Sequence, residues 1–537
     1  MSLLWDEHGE PKLVWPSLIV LCVVLFGGLG ISYAVRRPAT PAERAASLAQ
    51  NGRFDAAEQA YKAILEKDPT PEAAVAFVKN HLHGVAENVL AQDRTKSRMS
   101  GAHVEKMMDE DDVDALLGSL SNPDALLAAR FERGLLGLGV PEETRGAVMI
   151  AADREPPAPL ANQLLAEYAR KTGDLEEAAN RYEREGLAYP ERASDVDLAL
   201  QLWMTLGEWD RVRTKLADPR VRKTASGDLA YALAMHDHDW LGVARAALVG
   251  WRSHTEPWEL VTAGAAALAW AFFCARLGKL RERVALRLPL YVVAFALGVL
   301  SVVPTLVLVA VEQEKLRLVE TGDATRDILF FIFGVGLREE GSKILLFLPL
   351  LPFIRKWGTK LDVLVCGAMV GLGFAAEENL GYLASGNLHT GLARFLTANF
   401  FHMAMTGTIA LALDELWGDR EENAMAFTRT ALSVVAIHGA YDFLLSHEEF
   451  GGSYMSMLVF IFLTRLFLAA VDRARGRADK GMSLAHAFLF AMAVVTGITG
   501  VRAVTAVGAW QGALVMAEGL LGVGIILIVF VRTLRTM

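Results

Sequence analysis

The sequence predicts an all-α protein in which a soluble helical domain precedes a polytopic transmembrane helical bundle, and three observations carry that expectation. The 537 residues are 53% hydrophobic with a mean hydropathy of +0.30, too apolar for a soluble enzyme and too long for one simple domain. The apolar residues are unevenly spread. From Thr40 to about Thr255 the chain is rich in Ala, Glu, Leu and Arg at helical period, with no long apolar run. After Pro257 hydrophobic segments follow one another to the end of the chain. The net charge of −9 implies no basic surface to neutralise phosphates, which argues against a nucleic-acid partner. Cys22, Cys274 and Cys366 each lie in an apolar segment without CxxC spacing, which argues against a thiolate zinc site or a disulfide framework.

Taken in order, residues 1–37 read as an N-terminal transmembrane anchor. The run Leu13 to Tyr33 has membrane-spanning length, follows an acidic head whose only lysine is Lys12, and ends at Arg36-Arg37. A head that is not basic and the lack of a small-residue cleavage signature favour an uncleaved anchor over a signal peptide. Residues 38–255 form the soluble domain. Within it NGRFDAAEQAYKAILEKDP places Gly52, Ala57, Tyr61 and Pro69 at the same offsets as Gly173, Ala178, Tyr182 and Pro190 of KTGDLEEAANRYEREGLAYP. LGEWDRVRTKLADP, with Gly207 and Pro219, is a weaker third copy. The spacing resembles the second half of a tetratricopeptide repeat, so the domain is expected to be TPR-like and to bind a protein partner. The DEDD run at Asp109 to Asp112 reads as a solvated acidic loop.

Residues 256–537 carry nine apolar segments, about ten spans with the N-terminal run. Loop charge sets their orientation. Alternate connections hold sixteen lysines and arginines, among them Arg276 to Arg287, Arg355 to Lys360 and Arg473 to Lys480; the other set holds Lys315, Arg317, Arg326, Arg394 and Arg502. The richer set is expected in the cytoplasm and the soluble domain outside, in a multi-pass protein of the cell membrane.

Two consecutive segments place paired carboxylates inside hydrophobic sequence: Glu339 and Glu340 in FFIFGVGLREEGSKILLF, Glu377 and Glu378 in GLGFAAEENLGY. A charge near the bilayer centre costs about 3 kcal/mol on insertion scales, so such acids are functional candidates. Lys343 stands four and three residues beyond the first pair, on the face where it can neutralise one carboxylate. Asn379 offers an amide beside the second pair, and Gly367, Gly371 and Gly381 permit close helix packing. His402 lies in NFFHMAMTG, and His438 and Asp442 stand one turn apart in VVAIHGAYDFLL. That last spacing suits either a shared metal or a carboxylate orienting an imidazole.

Together EEGSK at Glu339–Lys343, GFAAEEN at Gly373–Asn379, the isolated His402 and HGAYD at His438–Asp442 resemble the PrsW-type intramembrane proteases, relatives of the prenyl-protein endopeptidases and bacteriocin-processing enzymes. The resemblance covers roughly Arg326 to Ser446. It implies peptide-bond cleavage, below the membrane surface, of membrane-associated substrates such as anti-sigma factors. Glu339, Glu340, Glu378, His402 and His438 take the catalytic positions. Asp442 stands where an asparagine is often expected, and an ionised Asp only accepts hydrogen bonds.

The chain has no GxSxG, no HExxH and no thiol paired with a histidine, so attack by water is the economical chemistry. Glu340 or Glu339 would activate it, with His402 and His438 orienting it or stabilising charge and Asn379, Asp442 and Lys343 as oxyanion or orienting groups. His402, His438, Glu378 and Asp442 could instead form a zinc-like set, and the metal-dependent and metal-free versions both stand. A proton- or ion-coupled transporter, which uses intramembrane carboxylates and histidines as relays, and an inactive signalling scaffold are the alternatives from other classes.

Overall fold

A computed structural model describes residues 14–35, 40–50, 53–93, 117–118, 120–137, 139–224, 226–246, 257–384, 388–447, 450, 452–476 and 482–536. Every regular element among them is helical, and none is a strand. Asp109 to Asp112 and Gly52 fall outside the described residues. The chain divides into two compact units, one of Arg36–Leu233 and one of Met1–Val35 with Ala234–Met537.

In the Arg36–Leu233 unit, short antiparallel helices pack on their sequence neighbours, as in the run Ala161–Thr172, Leu175–Ala188 and Ala193–Thr205. Ala57 and Ala178 are fully buried, and Tyr61 and Tyr182 nearly so, each on the second helix of its pair. Gly173 ends the Ala161–Thr172 helix at φ +90°, a left-handed cap that glycine adopts without a Cβ clash. Asp174 then caps the next helix by accepting from Glu177 N at 3.1 Å. Two acids lie deep inside. Glu185 accepts from Leu160 N at 2.7 Å and from Arg192, while Asp195 keeps one buried carboxylate oxygen without a partner.

In the second unit six helices among the described residues are long and apolar enough to cross a membrane, or seven with the bent pair Ala509–Leu521 and Gly524–Arg535. The sequence count was about ten. The three segments that drop out are Ile328 to Phe353, Val363 to Ala384 and Ala424 to Leu445, which carry the acids and His438. The first of the three is not one helix. It breaks into Ala324–Leu329, a π-helical stretch Phe330–Gly336, Leu337–Phe347, a 3-10 turn Leu348–Leu350 and Leu351–Trp357.

The unit is built around the Lys360–Ala384 helix, paired with Leu388–Gly418 and flanked by Val284–Leu300 and Pro257–Leu277. Apolar on all sides, it is buried continuously from Leu361 to Ala375. In lipid the hydrophobic effect does not drive helices together, so close packing must do so, and small residues permit it. A Cβ at Gly371 would fall 2.6 Å from the carbonyl carbon of His402, so the helices touch backbone to backbone there. Gly367 serves the same contact a turn earlier, whereas a Cβ at Gly381 would meet nothing within 4 Å. At the helix start Asp362 accepts from Arg287 Nε at 2.6 Å and from Thr359 N at 2.9 Å, a buried pin to the Val284–Leu300 helix.

Candidate active site

Local geometry brings the first acids to the His438 helix, Arg420–Ser446. The wide π turns of Phe330–Gly336 lie against that helix, and a Cβ at Gly439 would meet Ile332 N and Cα at 2.5 Å. Only glycine allows this approach, and it sets His438 beside Glu339 and Glu340 one turn further along. π-helical insertions recur at functional sites because they re-aim the residues that follow.

The contacts then form a continuous chain. The fully buried Lys343 Nζ donates to Glu340 Oε1 at 2.8 Å and Glu339 Oε2 at 3.3 Å, and lies 2.8 Å from His402 Nδ1. Its ammonium also sits 3.9 Å from the centroid of the Phe374 ring. An ammonium only donates, so His402 Nδ1 accepts and Nε2 carries the proton, donating to Glu378 Oε2 at 2.9 Å. His438 Nδ1 lies 3.2 Å from Glu340 Oε1, and its Nε2 lies 3.3 Å from Asp442 Oδ2 and 3.5 Å from Glu339 Oε2. Thr406 Oγ1 donates to Glu340 Oε2 at 3.0 Å.

These contacts separate the two glutamates. Glu340, 1% exposed, has both oxygens engaged by Lys343, His438 and Thr406. Glu339, 9% exposed, meets Lys343 and His438 through Oε2 alone. Glu378 and Asp442 are more open, and each stands behind a histidine.

Seven of the eight site residues expected from sequence thus converge: Glu339, Glu340, Lys343, Glu378, His402, His438 and Asp442. Asn379 does not join them. Its Nδ2 donates to Asn399 Oδ1 at 3.0 Å, and Asn399 Nδ2 donates to Phe395 O, so this amide pair joins two helices rather than facing the acids. Two further members carried little signal in sequence. Thr406 follows His402 by one helical turn and could have been sought on that face. Arg394, whose Nη2 lies 2.7 Å from Glu378 Oε1, reads in sequence only as a charge at the start of an apolar span.

Glu339, His402 and His438 can each offer one ligand atom, all within 4.8 Å of one another. Two imidazoles and one carboxylate are a donor set that catalytic zinc accepts, so these residues fit a divalent ion. The Lys343 ammonium already draws on two of the three, and would compete with an ion for the same lone pairs. Glu378 and Asp442, expected from sequence as ligands, stand outside this group as partners of the two imidazoles, the arrangement that orients metal-binding histidines.

Residues 287–467, which contain every member of this chain of contacts, match the family described as PrsW family intramembrane metalloprotease. The chain is 24% identical over 161 residues to Protease PrsW of Clostridioides difficile (strain 630), a stretch that covers 29% of this chain and 68% of that protein. No solved structure matches the chain. The multi-pass helical unit whose acids and histidines meet between its helices is thus similar, over the same residues, to the PrsW-type intramembrane proteases, hydrolases that act as intramembrane peptidases.

Proposed function

We propose that the chain is an endopeptidase cleaving membrane-anchored proteins, with Glu339 activating the attacking water. The observation that carries this reading is the division of labour between the paired glutamates: Glu340 is saturated by three donors, while Glu339 reaches the accessible edge with one oxygen uncommitted. Glu339 takes a proton from water as the water oxygen bonds to the carbonyl carbon. The tetrahedral oxyanion forms beside the positive charge of Lys343 and the His438 ring, which stabilise it most where water is excluded. The proton held by Glu339 then passes to the departing amide nitrogen. The C–N bond breaks, releasing an amine and a carboxylate. Glu340 holds Lys343 and His438 in place, and Asp442 and Glu378 orient the two imidazoles.

A divalent ion, where bound by Glu339, His402 and His438, would supply Lewis acidity toward water and carbonyl oxygen. The substrates are single-span or membrane-anchored regulators, with anti-sigma-factor-like proteins as the first class to test. The Arg36–Leu233 unit is a TPR-like recruitment domain on the extracytoplasmic side. Equivalent burial of Ala57 with Tyr61 and of Ala178 with Tyr182 supports the repeat, and the loop charge supports the orientation.

The test is cleavage of single-span candidates by the purified protein in liposomes, comparing wild type with Glu339→Gln and His438→Ala and assaying metal in parallel. Cleavage lost in both variants, with about one equivalent of zinc in the wild type, supports the metal-assisted form. Cleavage that is lost in both but insensitive to chelators supports glutamate acting alone. A wild type that cleaves nothing, while the acid variants change proton flux, replaces the protease with a transporter.

A further inference from the structure

Arg394 belongs to none of the motifs, yet it pairs with Glu378, the partner of His402. The Leu388–Gly418 helix carries both Arg394 and His402, eight residues and about two turns apart. Between them, from the neighbouring helix, stands Glu378. Its two oxygens are divided: Oε1 meets Arg394 Nη2 at 2.7 Å and Oε2 meets His402 Nε2 at 2.9 Å. The guanidinium lies 3.2 Å from the centroid of the Tyr382 ring, one turn beyond Glu378, and Asp442 lies within reach of its field.

The division has a visible cost. An arginine and a carboxylate ordinarily pair through two parallel hydrogen bonds, whereas the close Arg394 contact here is to Oε1, with Oε2 turned to His402. Its Nε is buried with no hydrogen-bond partner. An orphaned buried donor costs about 1–3 kcal/mol, which a simple helix-to-helix ion pair would avoid by turning both carboxylate oxygens to the arginine. Here the second oxygen goes to the imidazole instead.

We propose that Arg394, braced by Tyr382, is a positioning residue for peptide hydrolysis: it holds Glu378 in the one orientation that keeps the proton of His402 on Nε2 and the Nδ1 lone pair toward Lys343. The inference rests on the peptidase reading above. Arg394 touches neither substrate nor reacting atoms. Its effect runs through Glu378, so the two residues act as one unit. A helix-joining ion pair predicts something different: loss of folded protein, with ordinary turnover in what remains.

The test is a double-mutant cycle on the full-length protein in liposomes, with a fluorogenic single-span substrate and rates normalised to folded protein. Arg394→Gln is expected to lower kcat about 10–100-fold, the usual effect of losing an outer partner of a working histidine, with KM within about threefold of wild type. Arg394→Lys should recover part of the loss. Glu378→Gln/Arg394→Gln should be no slower than Glu378→Gln alone, and because it leaves no unpaired buried charge it keeps the test open if Arg394→Gln folds poorly. Independently of activity, the ring 15N resonances of His402, assigned by their absence in His402→Gln, should report the Nε2–H tautomer in wild type and a changed ring in Arg394→Gln. Wild-type kcat in folded Arg394→Gln, losses that multiply in the double variant, or an unchanged His402 ring would each overturn the proposal while leaving the peptidase reading intact. A wild type that cleaves no substrate overturns that reading, and this inference with it.

Discussion

Replacing Gly371 with alanine is the sharpest perturbation of the site that leaves every site residue in place. Gly371 lies two turns before Glu378 on the Lys360–Ala384 helix and faces the backbone of His402 itself. The added Cβ would fall 2.6 Å from the His402 carbonyl carbon and 3.0 Å from Met403 N. Carbon atoms in good contact sit about 3.5 Å apart, so the two helices must separate by about 1 Å. Neither obstacle is the mobile end of a side chain; both are backbone in a hydrogen-bonded helix. The Glu378–His402 contact, now 2.9 Å, would stretch to nearly 4 Å and cease to be a hydrogen bond. Overpacking of this kind costs about 1–3 kcal/mol of stability, and a 1 Å misplacement in a working site costs about 100-fold in rate. Cleavage of a single-span substrate in liposomes, read with thermal unfolding of the same preparation, measures both. A folded Gly371→Ala protein that retains turnover within about threefold of wild type would refute the claim that this contact sets the site. Gly381→Ala, where a Cβ meets nothing, is the matched control.

Four further outcomes follow from the geometry. Glu339→Gln should abolish cleavage with unfolding near wild type, whereas Glu340→Gln should lose stability as well as activity; equal unfolding temperatures in the two would contradict their different burial. Lys343→Met leaves two buried carboxylates without their ammonium and should destabilise by about 3–5 kcal/mol, with partial recovery in Lys343→Met/Glu340→Gln; a loss below about 1 kcal/mol would count against a charged Lys343. Chelation should remove zinc and activity together if Glu339, His402 and His438 hold an ion, and added zinc should restore both. In the Arg36–Leu233 unit, burial raises the Asp195 carboxyl from 3.8 to about 6, the neighbouring Glu185 adds to this, and Arg192 opposes it. A raised folded-state value means that the native unit holds the proton more tightly. The stabilisation is therefore full below about pH 4 and lost as pH rises through about 6, by up to about 3 kcal/mol. Hydrogen exchange of Ala193–Thr205 in the intact protein, corrected for intrinsic rates, should show protection falling between pH 4.5 and 7, and Asp195→Asn should flatten that slope.

What was legible in the sequence was local. Glu339, Glu340 and Lys343 fall within one helical turn, as do His438 and Asp442, so helical spacing alone put them on shared faces. The apolar segments marked most of the helices. What stayed hidden depended on contacts between helices. Spacing grouped Asn379 with the acids, but its partner is Asn399, twenty residues away on another helix. Glu378 shows no partner in its own segment, and the arginine that pairs with it and lies over the Tyr382 ring comes from the next helix. Hydropathy windows also read Ile328 to Phe353 as one span, because no average over side chains registers a change from α to π winding. The different engagement of Glu339 and Glu340 was likewise invisible, since neighbours in sequence differ here only in how many donors reach them.

The three segments that fail as independent spans have a consequence for how the protein is made. A translocon passes helices into lipid according to their own apolarity, and segments bearing Glu339 with Glu340, Glu377 with Glu378, and His438 with Asp442 are poor candidates to leave it alone. Each must wait for neighbours that cover its charges, and those neighbours include Leu388–Gly418 and Gly452–Arg475, which emerge from the ribosome after the first acids. Assembly of this buried constellation is thus a late, collective event. A chain stopped between Glu378 and His402 holds the glutamates without the histidines, so the buried constellation is complete only once the later helices are in place.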